Sequence, residues 1–438
     1  MRQVVRSLKS MAMNCNRGPD DANRIMSSRL TRRSFLGGAA TAALAAGSMV
    51  KGAPAIPGFD QTITDYDKTE VWRPFSDRKI RVGLVGYGVC KFSAAFDFQN
   101  HPNVEVAAVS DLFPDRCAAL AEHVKCKKTY PSLEEMVKDD RIEAIFVATD
   151  APSHARHCIE VLNHGKHVCS AVPAFRGDIE DAERLLECVR KNRGLVYAMF
   201  ETSVFHEDLY AMEKLYAADV FGHIVYSEGE YCHPHVLGTP KMESYKDWRK
   251  NGAPMWYPTH ATAYYVGVTH GSFVEVSCQG TAEFDASKRQ PNSIGNLFNS
   301  EVGLFRTREG GLCRIVVCSS QGEYLEAGRL RGEYGGYSWH NGLAKDGFVG
   351  DDTGKERLSR ALARGMRSKK PALPPGVSPG GHGGSHGYLS TDFIDALLRK
   401  RKPAVDVIDA LNMTVPGYYA HLSAMKGGQN LKIPQYSL

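Results

Sequence analysis

No Cys-x-x-Cys pair occurs among the 11 cysteines of this 438-residue chain, which removes the usual thiolate zinc sites. Nor are the cysteines grouped as a disulfide framework. Cys158, Cys188, Cys278 and Cys318 lie inside apolar segments, where the thiol behaves as a small hydrophobe. The odd count leaves room for one free reactive thiol, and Cys90, in a glycine turn, is the expected one. Charge of one sign is also missing. Lys and Arg number 54 against 49 Asp and Glu, a net of +5. Much of that excess falls in the first residues and in Lys355 to Lys370, so no basic face is left for nucleic acid. The apolar run Gly37 to Ala46 is too short to cross a bilayer. The expected partner is a small molecule, with neither nucleic acid nor membrane.

What is present begins with Thr31-Arg32-Arg33-Ser34-Phe35-Leu36, the apolar run, and the small-residue site Ala53-Pro54-Ala55. This is the pattern of a twin-arginine signal over 1–55, followed by a polar linker over 56–78, and it predicts a periplasmic or secreted protein. That route carries proteins already folded. A cofactor loaded before export travels inside the protein, and an exported redox enzyme then has to regenerate it.

Residues 79–198 read as a dinucleotide-binding domain. The branched run Lys79 to Val85 ends at Gly86-Tyr87-Gly88-Val89-Cys90-Lys91, and Phe92 to Gln99 reads as helix. The first glycine permits the tight turn, the second lets backbone amides approach a pyrophosphate, and the helix start adds partial positive charge. Lys91 stands where a third glycine is usual. The next strand, Val104 to Ser110, ends in Asp111, whose carboxylate suits a ribose 2′-hydroxyl and repels a 2′-phosphate, so NAD is the expected cofactor. Helix 117–124, strand 144–148, helix 157–162 and strand 167–171 continue the alternation of a Rossmann-type, doubly wound parallel sheet. From 199 to 438 the pattern becomes that of an α+β domain with an open, largely antiparallel sheet, including strands over 224–231, 273–280, 303–307 and 312–319. The fold class is α/β, two domains.

Ala148-Thr149 with His154 resembles the Ala-Thr-Pro-x-x-x-His motif of the Gfo/Idh/MocA oxidoreductase family, and Gly165-Lys166-His167-Val168 resembles the lead-in to its Glu-Lys-Pro signature. Here that signature reads Ala171-Val172-Pro173, and Val172 has no acid-base chemistry. Trp248-Arg249, Tyr257-Pro258-Thr259-His260 and Gly381-His382-Gly383-Gly384 resemble the branch of NAD-dependent alpha-N-acetylgalactosaminidases, which also carries valine there. The resemblance implies that Thr149, Ala151, His154, Ala171, Val172 and Thr202 line the cofactor. It implies that Tyr231, Arg249, Tyr257, Pro258, Thr259, His260 and Tyr337 line a sugar, and that the sheet of the second domain joins subunits into a homo-oligomer. The chain departs from that branch at Ala171, Thr202 and Ser385-His386, so the sugar itself is not carried over.

Alternation along Glu228 to His233 puts Gly229, Tyr231 and His233 on one face, the better pocket wall, although His233 serves equally well as a strand terminator. His260, at the start of an apolar helix, is the expected proton carrier and, with Tyr257, is expected to remove the proton of the hydroxyl that is oxidised. The glycine-rich segment 345–384 reads as a mobile loop carrying His382, a second acid-base group. No carboxylate or cysteine stands at ligand spacing from His382 and His386, and no metal is expected. The closing helices, within 388–425, are structural. The resulting expectation is an NAD-dependent enzyme acting on a sugar or glycoside. Its leading form is a glycosidase that oxidises the sugar transiently and returns the electrons. A sugar dehydrogenase or sugar-sugar oxidoreductase, and a non-catalytic carbohydrate-binding protein, stand as alternatives.

Overall fold

Strand β1 (Ile80–Val85) is buried along almost its whole length because parallel neighbours and helices cover it on both sides. Around it stand β2 (Val104–Ser110), β3 (Thr129–Tyr130), β4 (Ala144–Val147), β5 (His167–Ser170) and β6 (Tyr197–Met199), all parallel, in the order β3-β2-β1-β4-β5-β6. The computed structural model describes residues 71–234, 244–320, 322–339, 342–343, 356–357 and 368–438. The leader, most of the linker, and the greater part of the expected 345–384 loop fall outside the described residues. No described helix is long and apolar enough to cross a membrane.

The second sheet is mixed: β7 (Ile224–Cys232), β8 (Phe273–Ala282), β9 (Phe298–Thr307), β10 (Leu312–Cys318), β11 (Leu325–Gly332), β12 (Gly336–Ser338), β13 (Gly342–Leu343) and β14 (Leu431–Lys432) take the order β13-β12-β11-β7-β10-β9-β8-β14. Every pair is antiparallel except β7 with β10. Along β9, Val302, Leu304 and Arg306 face out while Glu301, Gly303, Phe305 and Thr307 are buried.

Four elements differ from the sequence expectation in ways that bear on the site. The helix expected over 92–99 stops at Ala95, and a short 3-10 turn, Phe98–Asn100, follows. The break is at Asp97, whose φ of 62° lies in the left-handed region. Its carboxylate accepts from Asn100 Nδ2 at 2.7 Å and from the Ser378 amide at 2.7 Å, and such local bonds compete with the helix. Strands β3 and β6 went unread because two or three residues show no periodicity. Strand β11 also went unread, and it places Gly328 directly opposite Gly229 of β7.

That glycine pair positions the helix Thr259–Thr269. A Cβ on Gly229 would lie 1.9 Å from the Ala261 carbonyl oxygen, and one on Gly328 would lie 2.2 Å from the Tyr264 ring. The helix therefore rests directly on the sheet backbone, with residues 259–268 buried. From the other side Gly417, in the helix Val407–Met425, brings that helix within contact of Met255 and Pro258. Glu301 accepts from the Met255 amide at 2.7 Å and pairs with His421 at 2.7 Å, both groups buried. The 254–258 turn is thus fixed from two directions.

Candidate functional site

The glycine turn behaves as its residue types require. Gly86 has φ +95°, and a Cβ there would meet the Ala148 carbonyl oxygen at 2.3 Å, whereas a Cβ on Gly88 would meet nothing within 4 Å. One glycine makes the turn; the other faces open space in which a pyrophosphate can approach the backbone. Asp111 holds the turn by accepting from the Tyr87 amide at 2.6 Å and from the Phe113 amide at 2.9 Å. Both carboxylate oxygens keep a further lone pair for a ribose hydroxyl.

These residues line a cleft of about 850 Å³ that runs from Gly86, Gly88, Val89, Cys90, Lys91 and Asp111 past Thr149, His154, Ala171 and Val172 to Arg249 and Tyr257. Several expected cofactor residues act from behind the wall. The Tyr87 ring is buried and contributes its amide, Ala151 is turned into the core while Pro152 and Ser153 face the cleft, and Thr202 lies against His260, 3.5 Å from its Nδ1. His154 bridges the carbonyls of Pro173 at 2.8 Å and Thr149 at 3.2 Å, and burial lowers its pKa, so the neutral ring ties two loop ends together. Arg116 lies over the Phe113 ring at 4.4 Å. Cys90 is exposed, and its Sγ lies 3.5 Å from Arg249 Nη2.

At the inner end of the cleft, Tyr257 leads to a partly buried aromatic cluster, with His260 at its base and His382 at its exposed rim. Its ring centroid lies 5.6 Å from His260 and 6.1 Å from Tyr231, and Tyr231 lies 4.6 Å from His260. His382 is parallel to His260 at 6.4 Å, and His233 touches Tyr231 at 5.8 Å. Pro258 and Thr259 are buried beneath this cluster. Tyr337 is placed apart from it; its hydroxyl donates to Asp208 at 2.8 Å.

The electrostatics centre on Glu201, which sequence reasoning missed. It is fully buried just beyond β6 and lies 2.7 Å from His260 Nδ1. Ser203 donates to the same carboxylate oxygen through its amide at 2.9 Å and its hydroxyl at 2.7 Å, and the hydroxyl also lies 2.5 Å from Glu326. Burial opposes the charged form of His260, and so does the positive end of its own helix. The Glu201 carboxylate outweighs both, and the imidazole is raised to about 9. Burial would raise Glu201, but the His260 charge wins and holds it at about 2. His382, although exposed to solvent on one side, goes the other way: desolvation by the groups packed around it, then the His260 and His386 rings, push it down to about 3. Its Nδ1 pairs with His386 Nε2 at 2.8 Å. Burial raises the Tyr257 phenol far above its ordinary range, although Arg249 opposes this. At neutral pH the cluster therefore sets a protonated His260 against a neutral His382 and a neutral phenol. No group of three or more His, Cys, Asp or Glu side chains among the described residues could hold a metal ion.

One available sign of Glu201 was a carboxylate closing the otherwise apolar run Tyr197-Ala198-Met199-Phe200. Arg176 had no sequence signal. It is buried, donates from Nη1 to the carbonyls of Trp248 at 2.6 Å and Asn251 at 3.2 Å, and thereby ties the first domain to the loop that carries Arg249.

The comparisons agree with this geometry. Residues 80–200 match the family described as "Oxidoreductase family, NAD-binding Rossmann fold", the Gfo/Idh/MocA family. The chain is 28% identical over 199 residues to Glycosyl hydrolase family 109 protein 1 of Bacteroides fragilis, covering 41% of each. It is 22% identical over 400 residues to a Glycosyl hydrolase family 109 protein of Solibacter usitatus, covering 82% of this chain and 88% of the relative. The aligned part spans less than half the length of the first of these relatives. Among solved structures, a levoglucosan dehydrogenase in complex with NADH and levoglucosan superposes with a TM-score of 0.63 at 16% identity, covering 82% of this chain and all of the other. The open glycine cradle and the Asp111 carboxylate fit NAD as cofactor. Residues 80–200 thus match the NAD-binding Rossmann domain of the Gfo/Idh/MocA oxidoreductase family.

Proposed function

We propose that the chain is an NAD-dependent enzyme acting on a glycoside, which it cleaves through transient oxidation of the sugar with no net redox change. The observation that carries this reading is the buried His260–Glu201 pair beside Tyr257 at the inner end of the NAD cleft, where Val172 leaves no lysine. NAD, held by the glycine turn and Asp111, supplies reversible acceptance of a hydride from a sugar carbon.

The protein's own groups divide the proton work. His382, kept neutral, accepts the hydroxyl proton as the carbonyl forms. His260, kept protonated by Glu201 and so not the base for the hydroxyl, donates to the glycosidic oxygen as it departs, while the neighbouring C–H proton, acidified by the carbonyl, passes to solvent water. Water then adds across the double bond so formed, solvent reprotonates His260, and return of the hydride to the carbonyl with the proton held on His382 restores the hydroxyl. Tyr257 and Tyr231 stay neutral and orient the sugar through hydroxyl and ring. Paired carboxylates of the usual glycosidase kind are not needed for such a path.

The test uses purified protein without added cofactor and aryl glycosides deuterated beside the anomeric carbon. Cleavage with exchange of that deuterium into solvent is the expected result; cleavage with the label retained would remove the elimination path. Net oxidation is the second reading, favoured by the likeness to a sugar dehydrogenase, and it is recognised by an accumulating ketosugar or lactone. Val172 is the feature that favours a binding-only protein. Turnover that disappears in His260→Ala excludes that reading.

Export by the twin-arginine route is part of the proposal and rests on Thr31 to Leu36. Mass spectrometry of natively purified exported protein should find NAD aboard. Self-association is the remaining part, supported by the exposed Val225, Val302, Leu304 and Leu312 on the second sheet.

A further inference from the structure

Arg249 is assigned to the sugar by resemblance, yet its guanidinium reaches the glycine turn. Its Nη2 lies 3.5 Å from Cys90 Sγ, and among the described residues it has no carboxylate partner. Four residues earlier in the same segment, Tyr245 meets Phe113 edge-on at 6.0 Å, and Phe113 follows Asp111 on the adenosine side. All five residues line one cleft. A segment of the second domain therefore touches both banks of the first domain's nucleotide groove.

The segment is anchored from beneath. Arg176 donates to the carbonyls of Trp248 and Asn251, and its guanidinium carbon lies 5.0 Å from the Trp248 ring centroid. Arg249 lies over the same ring at 4.4 Å. Gly252 admits this anchor, since a Cβ there would be 2.0 Å from Arg176 Nη2. Burial lowers Arg176 only to about 10, so it is still a cation, and it too lacks a carboxylate partner among the described residues. Arg249, a guanidinium without an acidic partner among the described residues beside a glycine turn, complements an anion, and its planar fork matches a phosphate in two-point fashion.

We infer that residues 244–252 form a clamp across the bound dinucleotide, with Arg249 on the pyrophosphate and Tyr245 closing over the adenosine side, so that NAD is a resident group rather than an exchanging co-substrate. This rests on the NAD site described above and deepens it; it needs nothing of the sugar chemistry.

The experiment loads the full chain with NAD, removes free nucleotide by repeated desalting, and follows bound NAD by absorbance and mass spectrometry. Wild type should keep its NAD. Arg249→Ala, which deletes a charge-assisted contact, should release it about tenfold faster or more, and Arg249→Lys should fall between, because a point charge replaces the fork. Tyr245→Ala, at a partly exposed position, should also speed release. Wild-type retention in both alanine variants would overturn the clamp, as would rapid exchange in wild type. Neither outcome touches glycoside cleavage, which the deuterium experiment decides separately.

Discussion

At the residue scale the buried His260–Glu201 pair fixes the charge state of the cluster, and its removal has a signed consequence. Glu201→Gln leaves an imidazole at a helix N-terminus with burial and the helix end opposing its charge and only the more weakly acting Glu326 carboxylate favouring it. Its titration, followed by histidine NMR, should fall from about 9 to below the ordinary 6.5. Breaking such a pair should also cost about 3–5 kcal/mol in denaturant unfolding. The pair's contribution to stability depends on pH from both ends. His260 is raised, so its share is complete below about 6.5 and is lost as pH climbs through about 9. Glu201 is depressed, so its share is complete above 4.5 and is lost as pH falls through about 2. Turnover that needs the His260 proton should decline above about pH 9 as well, which a pH-rate profile reads directly.

At the element scale, two kinds of glycine make opposite predictions. Gly229→Ala drives a methyl into the Ala261 carbonyl at 1.9 Å and lifts the helix that carries His260, so it should destabilise by about 1–3 kcal/mol or more on thermal unfolding. Gly88→Ala meets nothing in the protein. It should leave thermal stability without added NAD nearly unchanged and weaken NAD binding, measured by titration of intrinsic fluorescence. The same contrast explains what the sequence revealed. The turn at Gly86, the second glycine and Asp111 are a local code within one strand-turn-helix-strand unit, legible because neighbours in the chain do the work. The Gly229–Gly328 pair and the Glu201–His260 pair join residues far apart in the chain, and no periodicity announces them. Asp97 shows the same limit on a smaller scale: an apolar, helix-like run is broken by a carboxylate whose partner, Ser378, lies in the other domain. Tyr337, carried over by resemblance, is engaged with Asp208: a strand of three residues shows no periodicity from which to read where its ring packs.

At the scale of the whole molecule, the open face of the second sheet carries Val302 and Leu304, 43% and 49% exposed, beside ion pairs that join Glu228 to Arg314 at 3.1 Å and Arg329 at 2.6 Å. On the proposed self-association through this face, Val302→Asp with Leu304→Asp should shift sedimentation from an assembly to single chains while leaving far-UV circular dichroism unchanged. The short helix behind the glycine turn is held on its far side by the segment that bears the two histidines. Asp97 accepts from Ser378, His386 Nδ1 reaches the Ala95 carbonyl at 3.1 Å, and Phe92 meets His382 edge-on at 5.6 Å. Nucleotide docking and the placement of His382 therefore share one short helix: a protein emptied of NAD should loosen the residue proposed as its proton acceptor, and amide hydrogen exchange at 378–386 should quicken when the dinucleotide is stripped.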